Sequence, residues 1–114
     1  MNPEQKPTPR VTSRYGPCSC ITGAIGELRV ATDLLTKGYD VFRAISSACA
    51  CDLIALKDDG TCLRIEVRTA RQLKKTGKIS YSVHAVDASR QDHFAAVLPD
   101  RVEYFPPLET KATR

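Results

Sequence analysis

The stretch that decides the fold covers residues 52–69 and reads DLIALKDDGTCLRIEVRT. Two apolar segments, residues 52–57 and 61–69, flank the tripeptide Asp58-Asp59-Gly60. Such a tripeptide suits a tight hairpin loop, because glycine accepts the positive φ that the loop needs. The stretch therefore predicts two antiparallel strands joined by a three-residue loop.

The length of this loop also predicts which residues face each other. It pairs Lys57 with Thr61, and counting back along both strands brings Asp52 opposite Glu66. Two facing carboxylates, with Cβ atoms about 5 Å apart, repel each other and destabilise a sheet. We therefore expect a compensating charge, supplied by a divalent metal ion or by an arginine on the same face, Arg64 or Arg68. Without a metal ion, the alternative is a solvent-exposed face on which these arginines and Glu66 form ion pairs.

An amphipathic helix is predicted over residues 22–37, ahead of the hairpin. Gly38 after Lys37 is a typical helix C-terminus. Glu27 lies at the edge of the predicted apolar stripe, as a carboxylate that faces whatever the helix packs on, or that reaches water. The stripe that we expect to face the core recurs at helical spacing: Ile21, Ala24, Ile25, Leu28, Ala31 and Leu35.

Further strands are predicted over residues 39–44, 79–85, 95–98 and 102–105, whereas residues 86–93 fit either a helical turn or a loop. Prolines concentrate near both ends, which predicts irregular tails at residues 1–17 and 107–114. A helix, a hairpin sheet and further strands in 114 residues predict a single α/β or α+β domain over residues 18–106.

The charge distribution points to a polyanion as partner. The chain has a net charge of +4, and cations dominate the segment that follows the second hairpin strand. Four of them, which we expect to contact this polyanion, are Arg71, Lys74, Lys75 and Lys78. A solvated surface loop is the alternative. The sequence has neither a secretory signal nor a long apolar run, so we expect a cytoplasmic protein without membrane contact.

An ordered series of motifs between residues 23 and 106 carries a family resemblance. The series begins with Gly23-x-x-Gly26-Glu27 and continues with Asp52-Leu53-Ile54 and Ile65-Glu66-Val67-Arg68-Thr69-Ala70. It ends with Asp92-x-Phe94-Ala95-Ala96-Val97-Leu98-Pro99. The series resembles the PD-(D/E)XK nuclease superfamily, in particular its small endonucleases and members similar to Holliday-junction resolvases.

This resemblance implies a restriction-endonuclease-like α-β-β-β-α-β core with a central mixed sheet. It implies hydrolysis of phosphodiester bonds in duplex or branched DNA with Mg²⁺, for which Mn²⁺ substitutes. By position, Asp52 and Glu66 are the metal-binding carboxylates, the Val67 carbonyl is a further ligand and Glu27 is an accessory acid. Arg68 completes the catalytic set, although the superfamily has a lysine at this position.

Three functions remain open at this point. The first is a metal-dependent DNA endonuclease, which we expect to be a homodimer because one chain has one site and cutting two strands takes two. The second is a DNA-binding module on the same fold, catalytically degenerate at Arg68. The third is an unrelated interaction domain with a charged hairpin face. Because a pure DNA binder gains nothing from carboxylates that face phosphates, Glu27, Asp52 and Glu66 favour the first over the second.

Overall fold

The computed structural model describes residues 12–13, 16–17, 19–46, 48–81 and 90–109. Its elements follow one another along the chain as β1 (Thr12–Ser13), β2 (Gly16–Pro17), α1 (Ser19–Thr36), β3 (Asp40–Arg43), β4 (Leu53–Leu56), β5 (Cys62–Gln72), β6 (Ile79–Tyr81), β7 (His93–Val97) and β8 (Val102–Phe105).

Within these ranges, six strands form one mixed sheet behind α1, which confirms an α+β fold with a central mixed sheet. The strand order is β3-β4-β5-β7-β8, and β6 pairs with the end of β5. The pairing of β5 with β7 is parallel and the other pairings are antiparallel. The helical turn or loop predicted over residues 86–93 lies outside the described residues up to residue 89, and His93 already belongs to β7. The second helix of an α-β-β-β-α-β core therefore stays a prediction.

The hairpin of β4 and β5 has the predicted register. Its ladder runs from Leu56↔Cys62 to Leu53↔Ile65, and the Lys57 N–H donates to the Thr61 carbonyl at 2.8 Å. Gly60 closes the loop with a φ of 89°, in the region that glycine adopts without strain. This register places Asp52 directly before the start of β4, next to the middle of β5.

The helix packs on the sheet through a different face from the predicted one. Val30 and Leu34 are fully buried, whereas Leu28 and Leu35 remain 56% and 52% exposed. The reason is the close approach of helix and sheet at Gly26, where a Cβ atom would lie 3.6 Å from Val67 Cγ1 and from Val97 Cγ2. Both sides of α1 are apolar, so helical periodicity alone does not distinguish the core side from the other.

The two faces of the sheet have separate apolar clusters. The face under α1 carries Leu53, Ala55, Ile65, Ala95, Val97 and Tyr104. The other face carries Ala70, Ala96 and Leu98, with Ile79, Tyr81 and Phe105 packed against them. Because side chains alternate along a strand, Glu66 and Arg68 of β5 belong to the face away from α1.

The predicted tails contain some structure. Strands β1 and β2 pair antiparallel through Thr12↔Pro17 and Ser13↔Gly16, so the stretch expected to be irregular up to residue 17 holds a short ladder. At the other end, Leu108 packs against the core cluster under α1. In the described part of the chain, no helix combines the length and the hydropathy that crossing a bilayer takes.

Candidate active site at the start of strand β4

Asp52 directly precedes β4 and continues the hydrogen bonding to β5 beyond the last ladder pair, Leu53↔Ile65. Its backbone N–H donates to the Ile65 carbonyl at 3.1 Å. Its carboxylate Oδ2 accepts the Val67 N–H at 2.8 Å. An unpaired N–H in a half-buried strand is costly, so this bond fixes the Asp52 side chain against β5.

Glu66 lies next to this carboxylate and is well shielded, with 15% of its side chain exposed. Burial raises the pKa of Glu66, the negative charge of Asp52 raises it further, and the Arg68 guanidinium acts in the opposite direction. Asp52 thus lies close enough to Glu66 for its charge to act on the Glu66 carboxylate. The repulsion expected from the hairpin register is therefore present in the folded protein.

Arg68 is the cation that compensates this repulsion. Its Nη1 lies 2.8 Å from Glu66 Oε1 and donates to the Val67 carbonyl at 3.3 Å. One guanidinium nitrogen thus bridges Glu66 and Val67, two of the groups that the sequence predicts as metal ligands. Because 30% of the arginine side chain is exposed, Arg68 has room to move outward.

Arg64, the other arginine on this face, pairs with Asp92 instead. The Asp92 Oδ2 atom accepts the Arg64 N–H at 2.7 Å, and Arg64 Nη2 lies 3.0 Å from Oδ1. Hydrogen bonds from Arg64 hold the pKa of Asp92 below its ordinary value. These contacts join the start of β5 to the start of β7. Asp92 opens the last motif of the family resemblance, but the sequence assigned it no role.

Glu27 forms an ion pair with Arg43, at 3.2 Å between Oε1 and Nε. Arg43 is the ladder partner of Leu53, so this pair lies beside the start of β4. Among the described residues, no three His, Cys, Asp or Glu side chains come together closely enough to hold a metal ion. The acidic centre that the structure assembles is thus the pair Asp52 and Glu66, and Glu27 stands apart with its own cation.

Cys51 directly precedes Asp52 and borders the acidic pair. Burial raises the pKa of its thiol, and the charges of Asp52 and Glu66 raise it further, while a backbone contact with Ile65 and the charge of Arg64 oppose this. A neutral thiol next to the carboxylates adds no charge to the site. We infer that it contributes packing rather than a ligand.

The predicted DNA-binding cations lie in and next to the turn that joins β5 to β6. A hydrogen bond of 2.8 Å from the Leu73 N–H to the Lys78 carbonyl closes this turn, and Gly77 has a φ of 70°. All four predicted cations are exposed: Arg71, Lys74, Lys75 and Lys78. At about 3.3 Å per residue, β5 places this turn roughly 20 Å from Glu66.

The pKa of Glu66 provides a test of this site. Asp52→Asn keeps an oxygen for the Val67 N–H but removes the charge, so we expect the pKa of Glu66 to fall. Arg68→Met removes the compensating cation and should raise it. Carbon-13 NMR titration of the side-chain carboxyls measures both shifts, with Asp59 in the exposed hairpin loop as the internal reference.

The raised pKa of Glu66 also makes the stability of the protein depend on pH. Because folding raises the pKa of Glu66, the native protein loses stability as the pH rises through the folded pKa. Asp52→Asn should remove part of that loss in urea unfolding measured across the acidic pH range, because the burial of Glu66 remains. An unchanged Glu66 pKa in Asp52→Asn would contradict the electrostatic effect of Asp52 on Glu66.

Comparison with known proteins agrees with this geometry. Residues 20–106 match the model of the PD-(D/E)XK endonuclease family. Among solved structures, the bacterial homing endonuclease I-Ssp6803I is similar in fold, with a TM-score of 0.60, 18% identity, and coverage of 78% of this chain and 68% of that chain. No curated protein matches. The family match extends from α1 through the acidic pair to the last strand, and the chain therefore belongs to the PD-(D/E)XK endonuclease family.

Proposed function

We propose that this protein is a metal-dependent endonuclease that hydrolyses phosphodiester bonds of duplex or branched DNA. The observation that carries the proposal is the placement of Asp52, Glu66 and Val67: Asp52 is held by the Val67 N–H, and Arg68 Nη1 contacts both Glu66 and the Val67 carbonyl. Two adjacent carboxylates repel each other and lower the stability of the fold, even in a chain whose net charge is +4. A bound divalent cation would neutralise this repulsion.

The donor atoms fit Mg²⁺. Carboxylate and carbonyl oxygens are the hard ligands that this ion prefers, and it retains several waters when the protein supplies few oxygens. Asp52, Glu66 and the Val67 carbonyl would hold the ion, and Mn²⁺ would take the same place. When bound, such a metal polarises a phosphate oxygen and lowers the pKa of a bound water. The raised pKa of Glu66 further indicates that the site favours an additional positive charge.

Arg68 must share these oxygens with the metal. Its Nη1 contacts both Glu66 Oε1 and the Val67 carbonyl, which are two of the proposed ligands. A divalent ion at these atoms requires the guanidinium to move, and the exposed part of the side chain leaves space for that movement. A displaced Arg68 would lie at the mouth of the site, where it can hydrogen-bond a phosphate bidentately.

Arg68 is therefore proposed as a phosphate-binding and charge-stabilising group. Arginine stays protonated in proteins, so it does not act as a general base. Donors that face developing charge in a transition state contribute a few kcal/mol. The same ion pair favours a second candidate function, a DNA-binding module whose acidic site is closed by its own arginine.

The exposed cations of the β5–β6 turn are proposed to hold the DNA beside the acidic pair. Their distance of roughly 20 Å from Glu66 corresponds to about six base-pair steps of duplex. Lysine contacts to phosphates position a duplex without reading its sequence. Breaking a DNA duplex takes one cut in each strand, and the described part of the chain has one acidic pair. We therefore also propose that the protein acts as a homodimer.

Metal-dependent nicking is the first expected outcome. The native protein should nick supercoiled plasmid with Mg²⁺ or Mn²⁺, and EDTA should stop it. Asp52→Asn and Glu66→Gln each remove a proposed ligand and should lower the rate by roughly 100-fold or more. Arg68→Ala should also abolish nicking, whereas Arg68→Lys, a smaller cation, should keep or increase the rate.

The matched control is Glu109→Gln, which neutralises a carboxylate that is 87% exposed on the side chain. Glu109→Gln should nick at the native rate, because Glu109 is not one of the proposed metal ligands. If the native protein and Arg68→Lys both leave every DNA intact with either metal, the DNA-binding module becomes the better account.

DNA affinity is the second expected outcome. Replacing Lys74, Lys75 and Lys78 together by alanine should weaken binding to all DNA sequences alike. The slope of log affinity against log salt should become shallower by about 2 to 3, since each lost phosphate contact contributes roughly 0.9. Fluorescence anisotropy with EDTA present measures binding without cleavage.

The control for this triple variant is Lys37→Ala with Lys57→Ala, two lysines that pair with Asp33 and Glu109 away from the turn. Its salt slope should stay at the native value. An equal loss of slope in both variants would show that net charge, rather than the turn, governs DNA binding.

A further inference from the structure

The side of α1 that faces away from the sheet carries an apolar stripe that the described residues leave exposed. Its large side chains are 36% to 56% exposed. They are Ile21, Ile25, Leu28 and Leu35. Core packing does not account for them, because α1 buries Val30 and Leu34 on its opposite side.

The spacing of this stripe is that of a coiled-coil seam. From Ile21 the steps are four, three, four and three residues, through Ile25, Leu28 and Thr32 to Leu35. Alternation of four and three is the heptad pattern in which two helices wind around each other. A shallow groove of about 480 Å³ continues the seam towards β8, with Val102 on its far wall. Such a surface fits a second helix better than an extended peptide.

We infer that the occupant is the same helix of a second copy, so that α1 is the dimer interface. This names the surface of the dimer proposed above and rests on that proposal. A heptad seam packs against an identical seam, and the residues that flank it cause little charge repulsion between two copies. Arg29 is the one ionisable residue among the five that flank the seam. The other four are small and uncharged: Thr22, Ala24, Ala31 and Thr36.

The size of the seam sets the expected strength of the dimer. Two heptads of one helix pair bury less than the roughly 1,600 Å² of a standard interface, so we expect a reversible dimer with micromolar affinity. Thr32 lowers that affinity, because its hydroxyl occupies a seam position and bonds the Leu28 carbonyl of its own helix at 2.9 Å. Both acidic pairs stay uncovered, since Glu66 lies on the sheet face away from α1.

Sedimentation velocity from micromolar to millimolar protein, without DNA or metal, tests this interface. The native mass should rise from 12.5 kDa towards twice that value. Leu28→Glu should remain monomeric, and Ile45→Glu, at the most exposed apolar side chain of the described chain, should dimerise like the native protein. Thr32→Leu should tighten the dimer roughly tenfold, because it adds a buried apolar side chain to the seam.

A native protein that stays monomeric throughout would overturn the inference, as would a Leu28→Glu variant that dimerises like Ile45→Glu. Circular dichroism confirms that each variant is folded, and Thr32→Leu tests the seam by a gain that unfolding does not mimic. Because DNA and metal are absent, loss of the dimer and loss of nuclease activity are measured separately. A dimer without nicking would support the seam while it contradicts the proposed function.

Discussion

The contact of Arg68 with Glu66 is the interaction on which the candidate site depends. Asp52 is fixed by its hydrogen bond to the Val67 N–H, so its charge cannot move away from Glu66. Glu66 is largely shielded from water, which would otherwise screen the repulsion. Arg68 offsets both effects at 2.8 Å. Removing it leaves an uncompensated pair of carboxylates, which only protonation or another cation can neutralise.

The position of Arg68 determines whether the Glu66 and Val67 oxygens bind a guanidinium or are open to a metal ion. A guanidinium on Glu66 and on the Val67 carbonyl gives a closed, purely structural ion pair. A divalent ion on those oxygens, as proposed, would give a site that polarises phosphate. The balance between them is a competition between an internal cation and a dissolved one. Arg68 thereby connects the fold of the hairpin with the activity of the endonuclease family.

Sequence reasoning reached the hairpin because its constraints are local. Gly60 defines the loop, the loop length defines the register, and the register places Asp52 next to Glu66. Each step involves residues that are neighbours along the chain or across one turn. The alternation of side chains then assigns Ile65 to the core and Glu66 to the other face without knowledge of the rest of the molecule.

Other features depend on contacts that periodicity does not encode. The face of α1 that meets the sheet was predicted wrongly, because the close approach at Gly26 outweighs the larger side chains on the other side. The choice between Arg64 and Arg68 depended on Asp92, which lies 28 residues beyond Arg64 and reaches it only through the parallel pairing of β5 with β7. The pairing of Glu27 with Arg43 likewise joins elements that the sequence does not align.

The most direct test of the central claim is anomalous diffraction from crystals of the native protein soaked in Mn²⁺. We expect an anomalous peak at the carboxylates of Asp52 and Glu66. We also expect the Arg68 guanidinium to have moved away from Glu66 Oε1. A crystal saturated with Mn²⁺ that shows no peak at these carboxylates, with Arg68 still 2.8 Å from Glu66, would contradict the claim that this acidic pair is a metal site.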